Sequence, residues 1–315
     1  MLDSFEGNPE MARARRVLST LEPQWVWAPG ERLVKGALFL AAAFAVIVTF
    51  AIFLALAVDA LEFFQRVSPI DFYLGTRWTP DIEGLYGVLP LVVGTLLIAG
   101  GAALIGLPLG LSAAIYLREY APASVREVVK PVLEVLAGIP TIVYGLFALI
   151  LVSPILQTTF GALFFNGANA IIVIGIMIIP MVSSLSEDAL TAVPTDLRDG
   201  ALALGATRFE ATSRVVVPAG FSGIGSSFIL AFSRAVGETM IVLIAAGQNT
   251  GIVLDIFRQM TTLSGWIAKR ATGDVAVGET VYLAMFAVGF TLFAMALVLN
   301  LTSDHLRARF REVYE

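Results

Sequence analysis

The chain has 315 residues, 57% of them hydrophobic and only 14% charged, with a mean hydropathy of +0.85. Soluble domains carry about 25% charged residues, so the composition excludes an ordinary water-soluble fold and predicts one continuous all-α integral membrane protein. Cysteine is absent, which removes disulfides, thiolate metal sites and cysteine nucleophiles, and the net charge of −5 says less than where the charges fall.

Residues 1–32 are polar, contain Arg13, Arg15 and Arg16, and lack the apolar core and cleavage site of a secretory signal. They read as a retained N-terminal segment ahead of a membrane domain over 33–303, with a short tail over 304–315. A helix crossing about 30 Å of hydrocarbon needs roughly 20 apolar residues. Six runs meet that need, at about 33–58, 88–117, 132–152, 168–185, 219–246 and 281–301. Backbone groups in lipid must pair within their own segment, which makes these runs helices.

The connections between the runs set the orientation. Counting Lys35, at the edge of the first run, with the N-terminal segment, fourteen lysines and arginines fall on the side that holds both termini and five on the other, with Arg234 inside the fifth run. The richer side is expected to be cytoplasmic. On the poorer side, residues 59–87 carry five acids against two bases and place Trp78 and Tyr86 where interfacial aromatics are expected. Gly106 and Gly110 at GxxxG spacing, with Pro108, Pro140, Pro180, Gly223 and Gly225, fit close helix packing through small residues. Bent helices along a transport path are the second reading of the same residues. Glu134, Glu187 and Asp188 read as interfacial acids, and His305 as a solvated tail residue.

Arg234 lies about twelve residues past the nearer edge of the fifth run, roughly 18 Å at 1.5 Å per residue and close to mid-membrane. A central arginine costs about 2.5–3.5 kcal/mol to insert, so it faces a protein interior or a watery cavity. Glu238 follows four residues later, at the spacing of one helical turn. A guanidinium suits forked hydrogen bonds to an oxyanion, and Ser226, Ser227, Ser233 and Thr239 supply hydroxyls nearby. Arg234, Glu238, Ser233 and Thr239 are therefore the candidate substrate pathway, against the alternative that Arg234 and Glu238 only neutralise each other.

Residues 186–218, between the fourth and fifth runs, are too polar to span and too apolar for a disordered linker. Pro194, with Thr195 and Asp196, suits a helix start; Leu197, Ala201 and Leu204 make an apolar stripe; Gly205 ends it. Here the residues resemble a signature of the binding-protein-dependent ABC permeases: EAA, three residues, Gly, nine residues, I-x-L-P. The chain has Asp199-Gly200-Ala201, Gly205 and Val215-Val216-Val217-Pro218 at that spacing, with Asp for Glu, Gly for Ala and valines for Ile and Leu. Further stretches resemble the phosphate permease branch of that family. They are Trp78-Thr79-Pro80, Tyr86 to Pro90 with Gly94-Thr95-Leu96, Leu136 to Gly145, and Arg234 to Met240, covering the chain from about residue 70.

The resemblance implies a type I (MetI-like) importer fold with both termini cytoplasmic, in the cell membrane. It implies that Pro194 to Gly205, with Leu197, Asp199, Gly200, Ala201 and Leu204, is a coupling helix docking on an ATPase. It implies phosphate as cargo, and a PstA-like second permease, a PstB-like ATPase dimer and a PstS-like phosphate-binding protein as partners. The same resemblance gives Arg234 and Glu238 counterparts in phosphate permeases.

A phosphate-binding P-loop needs Gly-x4-Gly-Lys-Ser/Thr. The three lysines, Lys35, Lys130 and Lys269, are followed by Gly, Pro and Arg, so this chain is not the ATPase and ATP and Mg belong to a partner. No catalytic triad forms around one tail histidine, and no basic aromatic surface for nucleic acid is present. Two other readings stay open on the residues: a permease for molybdate or sulfate, and an ion-coupled secondary transporter, which would have no use for the helix over 194–205.

Overall fold

A computed structural model describes residues 29–273 and 275–309. The expectations for Arg13, Arg15 and Arg16 and for residues 310–315 lie outside the described residues. Two units divide the chain, Met1–Ala55 and Leu56–Glu315. Helix α1, Pro29–Arg66, crosses that boundary in sequence. Within the first unit its Leu38, Phe39, Phe44 and Phe50 are all exposed, and a helix apolar on every side is one solvated by lipid. Its Thr49 hydroxyl donates to the Ala45 carbonyl at 2.9 Å and so needs no water partner.

The second unit opens with an aromatic cap. Helix α2 (Pro69–Leu74) leads into a two-stranded antiparallel hairpin, β1 (Trp78–Thr79) and β2 (Leu85–Tyr86), which pairs Trp78 with Tyr86. Trp78 is 1% exposed. Its ring meets Trp266 edge-on at 4.8 Å and lies beside Phe72 and Tyr86. The expectation of an interfacial anchor is corrected for Trp78: its indole is buried among aromatic rings, whose contacts add to area burial. Burial first, then Asp81 and Glu279, hold the Tyr86 hydroxyl above its ordinary pKa.

The central pair of the unit is α3 (Leu89–Ile115) and α7 (Gly167–Thr191). A Cβ on Gly106 would stand 2.4 Å from Ile178 and 2.6 Å from the Gly175 carbonyl, and one on Gly110 would stand 2.6 Å from Val182. Positions 106 and 110 thus advance together with 178 and 182, so the two helices run parallel and their backbones touch through the small residues, as their spacing predicts. A parallel pair requires one return crossing between them. Gly106→Val is expected to destabilise the bundle by roughly 1–3 kcal/mol, because backbone on the facing helix cannot move aside. A lowered thermal midpoint in detergent checks this.

The return crossing is displaced from its expected place. Helix α4 (Ala123–Ala137) stops at Gly138, and the crossing runs over Thr141–Phe160 as α5 (Thr141–Phe147), a π turn (Ala148–Val152) and α6 (Ser153–Phe160). The run at 132–152 is mostly apolar, with Glu134 its one charge, yet Pro140 has no N–H to give and pushes Ile139 out of helical geometry. Tyr144 restrains the corner by donating its hydroxyl to the Leu136 carbonyl at 2.9 Å.

The expected fifth run at 219–246 is also broken. Helix α11 (Phe221–Val236) meets the preceding helical segment, Arg208–Ala219, at a 70° bend. It ends at Gly237, and α12 (Met240–Ala245) begins three residues later. Beyond it, α13 (Leu263–Ala271) buries Leu263, Ser264, Gly265 and Trp266, an element that no apolar run announced. Helix α14 (Thr280–Arg309) closes the chain. Among the described residues, five helices are long and apolar enough to cross a membrane, or six if the bent pair counts as one.

Candidate functional site

The break after α11 decides what Glu238 can do. Arg234 and Glu238 were expected one turn apart on one helix, and this is corrected: helical geometry stops at Val236. Glycine is a poor helix former, and Glu238 then turns its carboxylate onto the next helix. Its Oε1 accepts from the backbone N–H groups of Met240 at 3.1 Å and Ile241 at 3.3 Å, and its own carbonyl accepts from the Ser264 hydroxyl at 2.7 Å. The buried Glu238 therefore caps α12 at its positive end. Irregular backbone at membrane depth persists only where such partners satisfy it.

Arg234 is left to a cavity. Ser186 and Ser227 hydroxyls meet at 2.9 Å, and a Cβ on Gly223 would touch Ala189 at 2.5 Å. Moving up α11 from 223 to 227 thus moves down α7 from 189 to 186, and the antiparallel register brings Arg234 level with Pro180. Arg234, Met177, Pro180, Ser183, Ser184 and Glu187 line a cavity of about 360 Å³, closed on its third side by Lys130, Leu133, Glu134 and Ala137 of α4. Arg234 is exposed to that space. None of the ion pairs among the described residues includes it.

The other charges on the wall were not foreseen as site residues. Lys130 Nζ stands 3.4 Å from Glu187 Oε2, whose side chain is 9% exposed. Glu134 is exposed, and the buried Ser183 hydroxyl has no hydrogen-bond partner among the described residues. Of the expected pathway residues, Ser233 and Thr239 are half-buried and outside the cavity lining; the Thr239 hydroxyl donates to the Gly237 carbonyl at 3.1 Å. Ser226 spends its hydroxyl on the Ser222 carbonyl at 2.9 Å.

The second candidate region is the short helix α8 (Thr195–Ala203), which buries no residue of its own and starts at Pro194. It stops by a left-handed turn: Gly205 has φ +91°, its N–H donates to the Leu202 carbonyl at 3.0 Å, and the Ala206 N–H donates to the Ala201 carbonyl at 3.1 Å. These two bonds make a Schellman stop, for which glycine is suited. A new helix α9 (Arg208–Ala211) follows at once, fixed by a capping box between Thr207 and Glu210. The Thr207 backbone N–H and hydroxyl, first and second in effect, hold the Glu210 carboxyl below its ordinary pKa.

On either side of this turn the chain presents Leu204, 92% exposed, and Phe209, 70% exposed. Leu197, Asp199 and Gly200 are exposed as well, and Ala201 is half-buried. Arg198 anchors α8 to the end of α3, its Nη1 lying 3.5 Å from the buried Glu119 carboxylate. The arrangement is a rigid helical corner with apolar side chains facing outward, which suits docking on another chain.

A family model described as binding-protein-dependent transport system inner membrane component matches residues 106–312. A probable ABC transporter permease protein YqgH of Bacillus subtilis is 34% identical, over 82% of this chain and 85% of that protein. The phosphate transport system permease protein PstC of Mesorhizobium japonicum is 34% identical, over 76% and 78%. A probable PstC of Methanocaldococcus jannaschii is 30% identical, over 81% and 86%. Among solved structures, a chain of a bacterial alginate ABC transporter superposes with a TM-score of 0.62 at 17% identity, over 90% of this chain and 99% of that one. A chain of the MetNI methionine ABC transporter in an inward-facing conformation gives 0.54 at 17% identity, over 72% and 95%. Fold, motif corner and relatives converge, and this multi-pass chain belongs to the family of inner membrane components of binding-protein-dependent transport systems.

Proposed function

We propose that the chain is the PstC-type permease subunit of an ATP-driven phosphate importer. The observation that carries this reading is Arg234, a guanidinium in no ion pair among the described residues, exposed and on the wall of a cavity between three helices. An uncompensated cation at such depth is costly, and a forked donor set of this kind pairs well with tetrahedral oxyanions. The names of the relatives supply the identity of the anion. Phosphate would meet Arg234 in passing, with hydroxyls of the wall sharing its oxygens.

The same reading places the chain in the cell membrane with both termini and the corner at 194–209 on the cytoplasmic side, in line with the lysine and arginine count. A PstA-like permease would complete the pathway, a PstB-like ATPase dimer would bind ATP and Mg and dock on α8, and a PstS-like protein would deliver phosphate from outside. Expression of the chain with those partners in cells lacking their own high-affinity phosphate uptake tests it. Radiolabelled phosphate uptake that depends on this chain is expected; uptake of molybdate or sulfate in its place would overturn the assignment of cargo.

A further inference from the structure

The cavity holds more charge than the passage of one anion past Arg234 requires. Four ionisable side chains share its wall: Arg234, Lys130, Glu187 and Glu134. Lys130 and Glu187 are paired across 3.4 Å, and Glu187 is the buried partner, its side chain 9% exposed against 43% for Lys130. A buried carboxylate needs its cation, and removing one partner of such a pair is strongly unfavourable. The lysine has the freer end, on a flexible stem whose compact ammonium reorients easily. Ser183 adds, on the same wall, a buried hydroxyl without a partner among the described residues.

We propose that Lys130 is a second cationic station for the transported anion and that Glu187 is the built-in competitor that takes Lys130 back. The inference rests on the phosphate reading above. An anion moving off Arg234 toward α4 meets the ammonium, which swings from Glu187 to the anion's oxygens. Glu187 is thereby left without its counter-ion in a poorly solvated place, so the resting pair re-forms and the anion is released. Glu134 on the same helix repels an anion that lingers. Arg234 and Glu134, the other two charges on the wall, carry no ion pair among the described residues, so the exchange runs through Lys130 and Glu187. The device keeps the site from binding phosphate tightly while still giving it two positive contacts.

The test uses the whole transporter, purified with its partner subunits and reconstituted in vesicles, with radiolabelled phosphate on its binding protein. The readout is phosphate delivered per ATP hydrolysed. Lys130→Gln is expected to lower that ratio about tenfold, the loss of one charged hydrogen bond to the anion, and Lys130→Arg to restore most of it. Glu187→Gln is expected to leave labelled phosphate retained on the washed complex after a single turnover, where the parent retains none. The double variant K130Q/E187Q separates transport from structure, since it leaves no buried charge unpaired. A ratio still about tenfold low in the double variant supports the station; a ratio restored to the parent value overturns it, because the pair would then be structural. If Arg234→Gln lowers the ratio while all Lys130 variants match the parent, the second station fails and the phosphate pathway stands. If Arg234→Gln has no effect either, the pathway reading itself fails.

Discussion

Arg234→Gln lowers ATP-driven phosphate uptake by about tenfold to a hundredfold, the range that follows from losing a hydrogen-bonded contact between two charged groups. The fold is expected to survive the change, because Arg234 takes part in no ion pair among the described residues. Removing a charge from mid-bundle lifts an insertion cost of about 2.5–3.5 kcal/mol, so the variant should equal or exceed the parent in thermal stability while transporting poorly. That opposite movement of stability and transport is what a functional cation gives; a structural one would lose both. Arg234→Lys keeps the charge and loses the fork, and intermediate uptake is expected of it. Radiolabelled uptake with a thermal scan of the purified complex measures both quantities, and full uptake by the Gln variant would leave the cavity's cation without a role.

The same site shows how far a sequence can be read. Arg234 stood out because one charge in a long apolar run is conspicuous, and the motif around Gly205 stood out because its spacing is fixed by a helix stop. Close helix packing was legible in Gly106 and Gly110, whose missing side chains let backbones meet, while the partner helix and its parallel direction came only from the structure. Breaks inside apolar runs were harder. The run at 132–152 has no charged residue beside Pro140 to mark an end, and Gly237 lies in the middle of another, so hydropathy continued where the helix did not. The spacing of four therefore sets Glu238 beside Arg234, whereas its carboxylate caps α12. The cavity wall was illegible for a different reason: Lys130, Glu187 and Arg234 come from three helices, and only the register of α7 against α11 and the turn at Gly138 bring them together. Helix α13 escaped because its nine residues are held by burial around Trp266 rather than by an apolar period.

Leu204→Asp is expected to reduce co-purification of the ATPase subunit at least about tenfold, a loss of about 1.4 kcal/mol of association, and to abolish uptake in proportion. Leu204 is 92% exposed and Phe209 is 70% exposed, so an aspartate at 204 removes no packing within this chain and the bundle should melt at the parent temperature. An apolar side chain held this far out is stabilising only when another surface covers it, and a carboxylate in the covered position would be desolvated without a partner. The geometry argues for a preformed contact. The Schellman stop at Gly205 and the capping box at Thr207 fix the corner from both sides, so little entropy is lost on docking. Gly205→Val provides the complementary case. It leaves Leu204 in place but strains a backbone held at φ +91°, a cost of roughly 1–2 kcal/mol that falls on the corner's shape. The two variants should therefore fail alike in ATPase retention and differ in local stability, with hydrogen exchange faster over 195–211 only in the valine variant. Retention of the ATPase by Leu204→Asp at parental levels would place the docking surface elsewhere, and labelling of residues 195–205 from outside the cell alone would put this corner on the wrong side of the membrane for any ATPase to reach.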